Sequence, residues 1–218
     1  MKIVPALLAE EFEEFVRRLR QAEAFAGYVQ IDIMDGVFVP TRSFPPERLN
    51  AVKTASSFEL HLMVNDPLAV SEQIHNPGLK KIIFHIESGA EPMRLMGRIR
   101  ERGLSAGLAI KPQTATDKFR EAAEYADTLL FLTVEPGNYG SPFKPEVLKK
   151  IAGARKAFQD KEIGVDGGVS LDNLKDFFDM GVDYVCIGSR IFLHGGPEEN
   201  YRLFRDKLKE FQALSLNL

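Results

Sequence analysis

Short apolar runs alternate with longer amphipathic stretches along the whole chain. The apolar runs predict strands, which cover residues 3–4, 28–32, 58–63, 81–85, 107–110, 128–133, 163–166 and 184–187. The stretches between most of them carry apolar residues at helical spacing, as Phe12, Phe15 and Leu19 do in the first one. They predict helices over residues 10–24, 47–52, 91–102, 117–125, 145–158, 171–180 and 198–213, with one more behind Pro67.

Alternation of strand and helix repeated eight times indicates parallel strands joined by crossovers. Eight such units in 218 residues have the size of a (β/α)8 barrel. We therefore expect residues 1–218 to form one α/β domain, a (β/α)8 or TIM barrel. An open doubly wound sheet is the alternative, but no Gly-x-Gly-x-x-Gly pattern follows the first strand. Hydrophobic residues make up 44% of the chain, which is enough for a sizeable core.

Charge and cysteine content narrow the function classes. The net charge of -3 and the pI of about 5.9 argue against binding to nucleic acid or to a membrane surface. No apolar run approaches the roughly 18 residues of a membrane span, and the first residues lack the apolar stretch of a signal peptide. The single cysteine, Cys186, excludes an internal disulfide and favours a reducing compartment, so we expect a cytoplasmic location. A homo-oligomer is left open.

The segment 30–36, Gln-Ile-Asp-Ile-Met-Asp-Gly, begins as a strand and ends as a loop. Successive side chains of a strand point to opposite faces, so Gln30, Asp32 and Met34 share one face. The other face is apolar and β-branched, as expected of a strand packed under helices. A row of amide, carboxylate and thioether has no use in a core, so it predicts the wall of a site. The alternative is that Asp32 caps the following turn.

In a (β/α)8 barrel the C-terminal ends of the strands face the active site. The polar residues predicted there are Gln30, Asp32, His61, His85 and Asp166. Asp32 and Asp166 come from the second and seventh strands, so they could flank one carbon and act as base and acid. Helix capping is the alternative for Asp166, although the two following glycines disfavour it.

His61 lies among apolar neighbours, where a histidine is more often a hydrogen-bonded core residue than a ligand. Its position beside two carboxylates in a barrel mouth reverses that expectation. Asp32, His61 and Asp166 together offer oxygen and nitrogen donors suited to a divalent Fe, Mn, Co or Zn cation, without selecting among them. His85 is equally well explained as a structural neighbour.

Glycine-bearing turns follow the sixth, seventh and eighth strands. Their backbone N–H groups would lie at one end of the barrel, where this fold commonly binds phosphate against a short helix. We therefore predict a phosphate site there, although tight turns also use glycine. Its residues are Gly137, Asn138, Tyr139, Gly140, Gly167, Gly168, Gly188 and Ser189.

Six segments, in their order and spacing, resemble the ribulose-phosphate 3-epimerase family nearly end to end. They are IDIMDGVFVP at 31–40, HLMV at 61–64, GLAIKP at 107–112, TVEPG at 133–137, VDGGV at 165–169 and GS at 188–189. The resemblance implies an isomerase of the pentose phosphate pathway that interconverts the sugar phosphates D-ribulose 5-phosphate and D-xylulose 5-phosphate. It implies that Asp32 and Asp166 are the acid/base residues and that they bind a divalent metal together with His61, which would also contact substrate. Met34 and Met63 would line the reacting carbons.

Four features depart from the family's pattern. Gln30 stands where the family usually has a histidine as fourth metal ligand, and an amide oxygen is a poorer ligand than imidazole for a transition metal. Ala6 replaces a serine that contacts substrate, Leu132 replaces a methionine, and the loop 137–141 lacks the usual Gly-Gly pair. Two other functions follow as alternatives: an epimerase of a hexulose 6-phosphate, and a metal-poor homologue that binds sugar phosphates.

Overall fold

The structure, a computed structural model, describes residues 1–137 and 140–215. Eight parallel strands pair in chain order and close into a barrel. The strands are β1 (Lys2–Leu7), β2 (Tyr28–Met34), β3 (Ser57–Met63), β4 (Leu79–His85), β5 (Ser105–Ile110), β6 (Thr128–Leu132), β7 (Glu162–Asp166) and β8 (Tyr184–Ile187). The pairing of β8 with β1 closes the sheet, so the predicted (β/α)8 barrel is confirmed and the doubly wound alternative is wrong.

Helices follow the strands and cover the outside of the barrel. They are α1 (Phe12–Glu23), α2 (Pro67–Gln73), α3 (Pro92–Glu101), α4 (Thr116–Tyr125), α5 (Val147–Ala157), α6 (Leu174–Asp179), α7 (Ser189–Phe192) and α8 (Pro197–Ser215). Prolines begin α2 and α3, where a missing N–H leaves no hydrogen bond unmade. Within the described residues no helix has both the length and the apolarity needed to cross a membrane.

Two predicted helices differ from the structure. The segment predicted at 47–52 is a short 3-10 helix, Pro46–Ala51, in which the N–H of Val52 bonds three residues back to Leu49. The helix predicted at 171–180 begins only at Leu174, because Ser170 and Asn173 form a turn through their side chains. Hydrophobic periodicity locates such elements but does not resolve these local hydrogen bonds.

The inside of the barrel is filled by side chains. Ile83, Leu130 and Tyr184 belong to a buried cluster in the interior, separate from the larger core between strands and helices. The fit is tight, since a Cβ built on Gly164 would lie 2.3 Å from the Cζ atom of Tyr184. An ion cluster lies near the N-terminal end, where the Lys81 ammonium is 3.0 Å from Glu59 and 2.6 Å from Glu162. This filling confines the candidate site to the C-terminal mouth.

Candidate active site

A cavity of about 470 Å³ opens at the C-terminal mouth of the barrel. Strand ends and the loops that follow them supply its walls, as expected for a (β/α)8 barrel. Three of the predicted polar residues line it, namely Asp32, His61 and Asp166. Ala6, Met63 and Leu132 add an apolar surface beside them. The cavity therefore places titratable groups beside an apolar surface that can pack against the carbon atoms of a ligand.

The two predicted acids converge on one imidazole nitrogen. Asp32 and His61 are neighbours in the register of β2 and β3, whereas Asp166 comes from β7, which β8 and β1 separate from β2. The Nδ1 atom of His61 is 3.1 Å from Asp32 Oδ1 and 3.1 Å from Asp166 Oδ2. Neither carboxylate caps a helix through these contacts. The geometry places two carboxylates at one point, as a proton-transfer pair requires.

The same three side chains could hold a metal ion. One ligand atom from each of Asp32, His61 and Asp166 lies within 4.8 Å of the other two. Two carboxylate oxygens and one imidazole nitrogen suit a divalent transition metal but do not choose among Fe, Mn, Co and Zn. The donor set therefore fits the predicted cation at three positions.

Gln30 bridges the two carboxylates. Its Nε2 donates to Asp32 Oδ1 and to Asp166 Oδ2, both at 2.9 Å. Its Oε1 accepts a hydrogen bond from the Cys186 thiol, with the sulfur 3.0 Å away. Ionised carboxylates only accept hydrogen bonds, so the amide presents its NH2 group to them. In this arrangement the amide oxygen faces Cys186, and the predicted role of Gln30 as a metal ligand stays a prediction.

Burial and proximity shift the pKa values of this cluster. Burial raises the pKa of the Asp32 carboxyl, and the negative charge of Asp166 raises it further, against the hydrogen bonds from His61 and Gln30. Burial alone lowers the pKa of His61, but its hydrogen bonds with Asp166 and Asp32 outweigh burial and raise the pKa to about 10. Without a bound cation, His61 is thus an imidazolium that partly neutralises the acid pair.

His85 lies behind His61 rather than in the cavity. Its Nε2 is 2.9 Å from the Nε2 of His61, and its Nδ1 is 3.1 Å from a carboxylate oxygen of Glu87. Burial lowers the pKa of His85 to about 4, because Glu87 only partly offsets the loss of water. His85 is therefore a neutral, buried neighbour of His61. The sequence left this choice open.

The two predicted methionines lie side by side at the ends of β2 and β3. Met34 and Met63 are both buried and pack with Val39, but only Met63 is among the residues that line the cavity. Contact of Met34 with substrate stays a prediction.

Glycine turns form the other side of the cavity. Gly137, Gly140, Gly167, Gly168, Gly188 and Ser189 all line it, whereas the predicted Asn138 and Tyr139 lie outside the described residues. Gly167 has φ +94°, and a Cβ there would lie 2.3 Å from Val134, so the turn after β7 requires glycine. Ser189 begins the short helix α7, the element that accompanies phosphate sites in this fold.

Sequence reasoning missed five polar residues of this wall: Ser141, Ser170, Asp172, Asn173 and Arg190. Asn173 donates to the carbonyl of Gly168 at 3.0 Å and so supports the turn after β7. Arg190 is an exposed residue of α7 that lines the cavity next to Gly188 and Ser189. The signal for Arg190 was present, since a cation directly follows the Gly188-Ser189 pair.

Residues 2–192 match the model of the ribulose-phosphate 3 epimerase family. The chain belongs to the ribulose-phosphate 3-epimerase family. Curated relatives that the chain matches carry the name ribulose-phosphate 3-epimerase. The protein of Schizosaccharomyces pombe is 31% identical over 97% of this chain and 95% of its own length. The Mycobacterium tuberculosis protein is 32% identical over 99% of this chain and 95% of its own length. The Treponema pallidum protein is 33% identical over 87% of this chain and 90% of its own length.

Solved structures extend the likeness to the barrel fold alone, because their identities are low. Phosphoribosyl anthranilate isomerase from Thermococcus kodakaraensis superposes with a TM-score of 0.68 at 14% identity, over 95% of this chain and 98% of that one. A thiamine phosphate pyrophosphorylase from Pyrococcus furiosus gives 0.66 at 16% identity, over 96% of both chains. Membership in the epimerase family confirms the resemblance inferred from the six segments.

The departures from the epimerase pattern lie together in space. Ala6 and Leu132 line the cavity, and Ala6 is the register partner of Gln30 on the neighbouring strand. This member of the epimerase family therefore carries Ala6, Gln30 and Leu132 close to the cluster of Asp32, His61 and Asp166.

Proposed function

We propose that the protein interconverts D-ribulose 5-phosphate and D-xylulose 5-phosphate by moving a proton at C3. The observation that carries the proposal is the convergence of Asp32 and Asp166, from separate strands, on the Nδ1 atom of His61 in the mouth cavity. The reaction needs a base on one face of C3 and an acid on the other. Membership in the epimerase family supports the sugar phosphate. We also propose a cytoplasmic location, which the single, buried thiol supports.

Proton transfer requires the two carboxyl groups to differ in protonation. In this proposal Asp166 is the base for the epimer that presents its C3–H on that side, and Asp32, whose pKa is raised by burial and by the charge of Asp166, is the acid. Removal of this proton leaves an enediolate, and Asp32 delivers a proton to the opposite face. The roles reverse for the other epimer. Gln30 holds both carboxylates through its NH2 group and so keeps them at a fixed separation.

The enediolate carries negative charge that the site must stabilise. Asp32, His61 and Asp166 would hold a divalent cation, which when bound would stabilise that charge as a Lewis acid. The His61 imidazole stays beside the acid pair and provides the nitrogen donor. Met63, Leu132 and Ala6 exclude water from the carbon chain of the sugar.

The phosphate end of the substrate lies against the glycine turns. Backbone N–H groups at such turns and at the start of a helix bind anions, and Arg190 adds a positive charge. A hexulose 6-phosphate is the second candidate substrate, because Ala6 is smaller than the serine that the family usually has there.

The test is the Asp166→Asn variant, which removes the base without changing size. We expect kcat to fall by about 10²- to 10⁴-fold while the barrel and phosphate binding persist. The matched control is Asp179→Asn, since Asp179 is exposed on α6 and pairs with Lys175. Near-normal turnover in Asp166→Asn would reject the assignment.

Two further measurements separate the alternatives. A panel of five- and six-carbon ketose phosphates identifies the substrate by kcat/KM, and a preference for a six-carbon sugar would replace the pentulose proposal. Exchange of deuterium from solvent into C3 tests proton abstraction directly. Binding of ketose phosphate with no exchange, with and without added Mn²⁺, would indicate a sugar-phosphate-binding homologue instead.

A further inference from the structure

A chain of hydrogen bonds leads away from the cavity behind His61. His61 Nε2 lies 2.9 Å from His85 Nε2, and His85 Nδ1 lies 3.1 Å from Glu87 Oε2. Both imidazoles are fully buried, and neither His85 nor Glu87 lines the cavity. The other oxygen of Glu87 accepts the backbone N–H of Lys111 at 2.9 Å and the hydroxyl of Thr114. We call His85 and Glu87 the relay.

The hydrogen-bond directions along the relay follow from its far end. A backbone N–H can only donate, so the Glu87 oxygen at Lys111 is an acceptor, and an ionised carboxylate accepts at both oxygens. His85 Nδ1 must therefore carry a hydrogen and donate it to Glu87. A neutral imidazole has one N–H, so His85 Nε2 offers a lone pair to His61. The hydrogen between the two rings then belongs to His61 Nε2.

The surroundings of His85 favour this neutral form. The Phe38 ring lies 4.8 Å from the His85 ring, and the Lys111 ammonium is 3.7 Å from the centre of that same Phe38 ring. One hydrogen at most fits between two ring nitrogens 2.9 Å apart, so a cation on His61 Nδ1, which leaves the His61 hydrogen on Nε2, requires a lone pair on His85 Nε2. The carboxylate of Glu87 thus acts on His85 as a hydrogen-bond acceptor.

We propose that His85 and Glu87 are positioning residues that keep a hydrogen on His61 Nε2, so that Nδ1 is the nitrogen that gives up its hydrogen to a cation in the site. This inference deepens the proposed function and rests on it for its role in turnover. Its physical content, the tautomer of His61, is independent of the sugar. Partners that orient metal-binding histidines in this way typically change metal affinity by about 10- to 100-fold.

The Glu87→Gln variant reverses the direction of the hydrogen bonds along the relay, and glutamine has nearly the same size as glutamate. Lys111 N–H still needs an acceptor, so the amide oxygen of the new side chain stays there and its NH2 group faces His85 Nδ1. An NH2 group donates, which moves the His85 hydrogen to Nε2, where it points at His61 Nε2. Neutral His61 must then carry its hydrogen on Nδ1, the nitrogen that faces Asp32 and Asp166, where it competes with a cation.

Mn²⁺ binding to the purified protein, measured by calorimetry without sugar, tests the inference. We expect Glu87→Gln to weaken Mn²⁺ binding by about 10- to 100-fold. The matched control is Glu72→Gln, because Glu72 is exposed, pairs with Arg98 and lies outside the cavity. The control should bind Mn²⁺ as the parent does.

A second readout separates tautomer from misfolding. In the metal-free parent, where His61 is an imidazolium, ¹⁵N NMR should show hydrogens on both of its ring nitrogens. In metal-free Glu87→Gln, Nε2 should lose its hydrogen while Nδ1 keeps one, with unchanged circular dichroism. Unchanged Mn²⁺ affinity, or an Nε2 that stays protonated, would overturn the inference. Failure of the proposed function looks different, because it appears as absent turnover in the parent protein whatever Glu87→Gln does to Mn²⁺.

Discussion

At the scale of single residues, Gln30 has the largest consequence for the candidate site. Its NH2 group bonds both acids, and the Cys186 thiol holds its oxygen on the other side. A neutral amide can join two carboxylates without adding charge, whereas a histidine there offers a nitrogen lone pair to a cation. The site is therefore expected to bind a metal with three strong protein donors instead of four.

Replacing Gln30 by histidine tests this expectation. We expect Gln30→His to tighten Mn²⁺ binding by about tenfold or more, since a fourth strong donor joins the three already present. Isothermal titration calorimetry of the metal-free protein measures the change. Equal Mn²⁺ affinity in the parent and in Gln30→His would contradict the idea that the Gln30 amide is a weaker metal ligand than an imidazole. Gln30→Leu, which has no donor atom at all, is the control for side-chain volume.

Tyr184 supports a prediction on stability. Its hydroxyl is buried and has no hydrogen-bond partner among the described residues. A buried unpaired polar group costs about 1–3 kcal/mol. We expect Tyr184→Phe to leave the free energy of unfolding unchanged or to raise it by about 1 kcal/mol, as measured by urea denaturation. A clear loss of stability would show that the hydroxyl has a partner in solution.

At the scale of elements, the turn after β8 and the helix α7 bring Arg190 to the predicted phosphate site. We expect Arg190→Met to raise KM for the sugar phosphate by about tenfold with a much smaller change in kcat, because a surface-accessible charged hydrogen bond is worth roughly 1.5–3 kcal/mol and acts away from C3. Steady-state kinetics with the pentulose phosphate measures both constants. A fall in kcat at constant KM would place Arg190 in the chemical step instead.

The sequence predicted the elements better than the links between them. Alternation along 28–34 and the rule for barrel mouths were enough to place Asp32, His61 and Asp166 at one end, and the structure brings these three together. The contact of His61 with His85 was not predictable, because it depends on the rotamers of two rings on neighbouring strands. The amide orientation of Gln30 was not predictable either, because it depends on contacts with Asp166 and Cys186, which are distant in sequence.

On the scale of the whole molecule, stability and chemistry occupy opposite ends of the barrel. The Lys81 ammonium lies between Glu59 and Glu162 near the N-terminal end, and Glu59 is fully buried. Removing one partner of a buried ion pair costs about 3–5 kcal/mol because a charge is left uncompensated. The acid pair at the other end does not contact this cluster directly.

We therefore expect Lys81→Met to lower the free energy of unfolding by about 3–5 kcal/mol at pH 7 while kcat stays close to that of the parent. Burial raises the pKa of Glu59, more than the Lys81 charge and hydrogen bonds lower it, so the folded protein takes up a proton there more readily than the unfolded chain. Stability linked to Glu59 consequently rises as the pH falls through its folded pKa.

The loss caused by Lys81→Met should accordingly shrink between pH 7 and pH 5, since a protonated Glu59 no longer needs its cation. Urea denaturation of parent and variant at both pH values measures this difference. A loss that stays constant or grows on acidification would contradict the account of Glu59.

Ile83, Leu130 and Tyr184 close the barrel axis beneath the acid pair. In the part of the chain that the structure describes, a sugar phosphate bound as proposed therefore enters the site and leaves it at the C-terminal mouth. A product molecule that has not yet left the site blocks binding of the next substrate, so the two pentulose phosphates compete for the same site. The rate of product release then sets an upper limit on turnover in either direction.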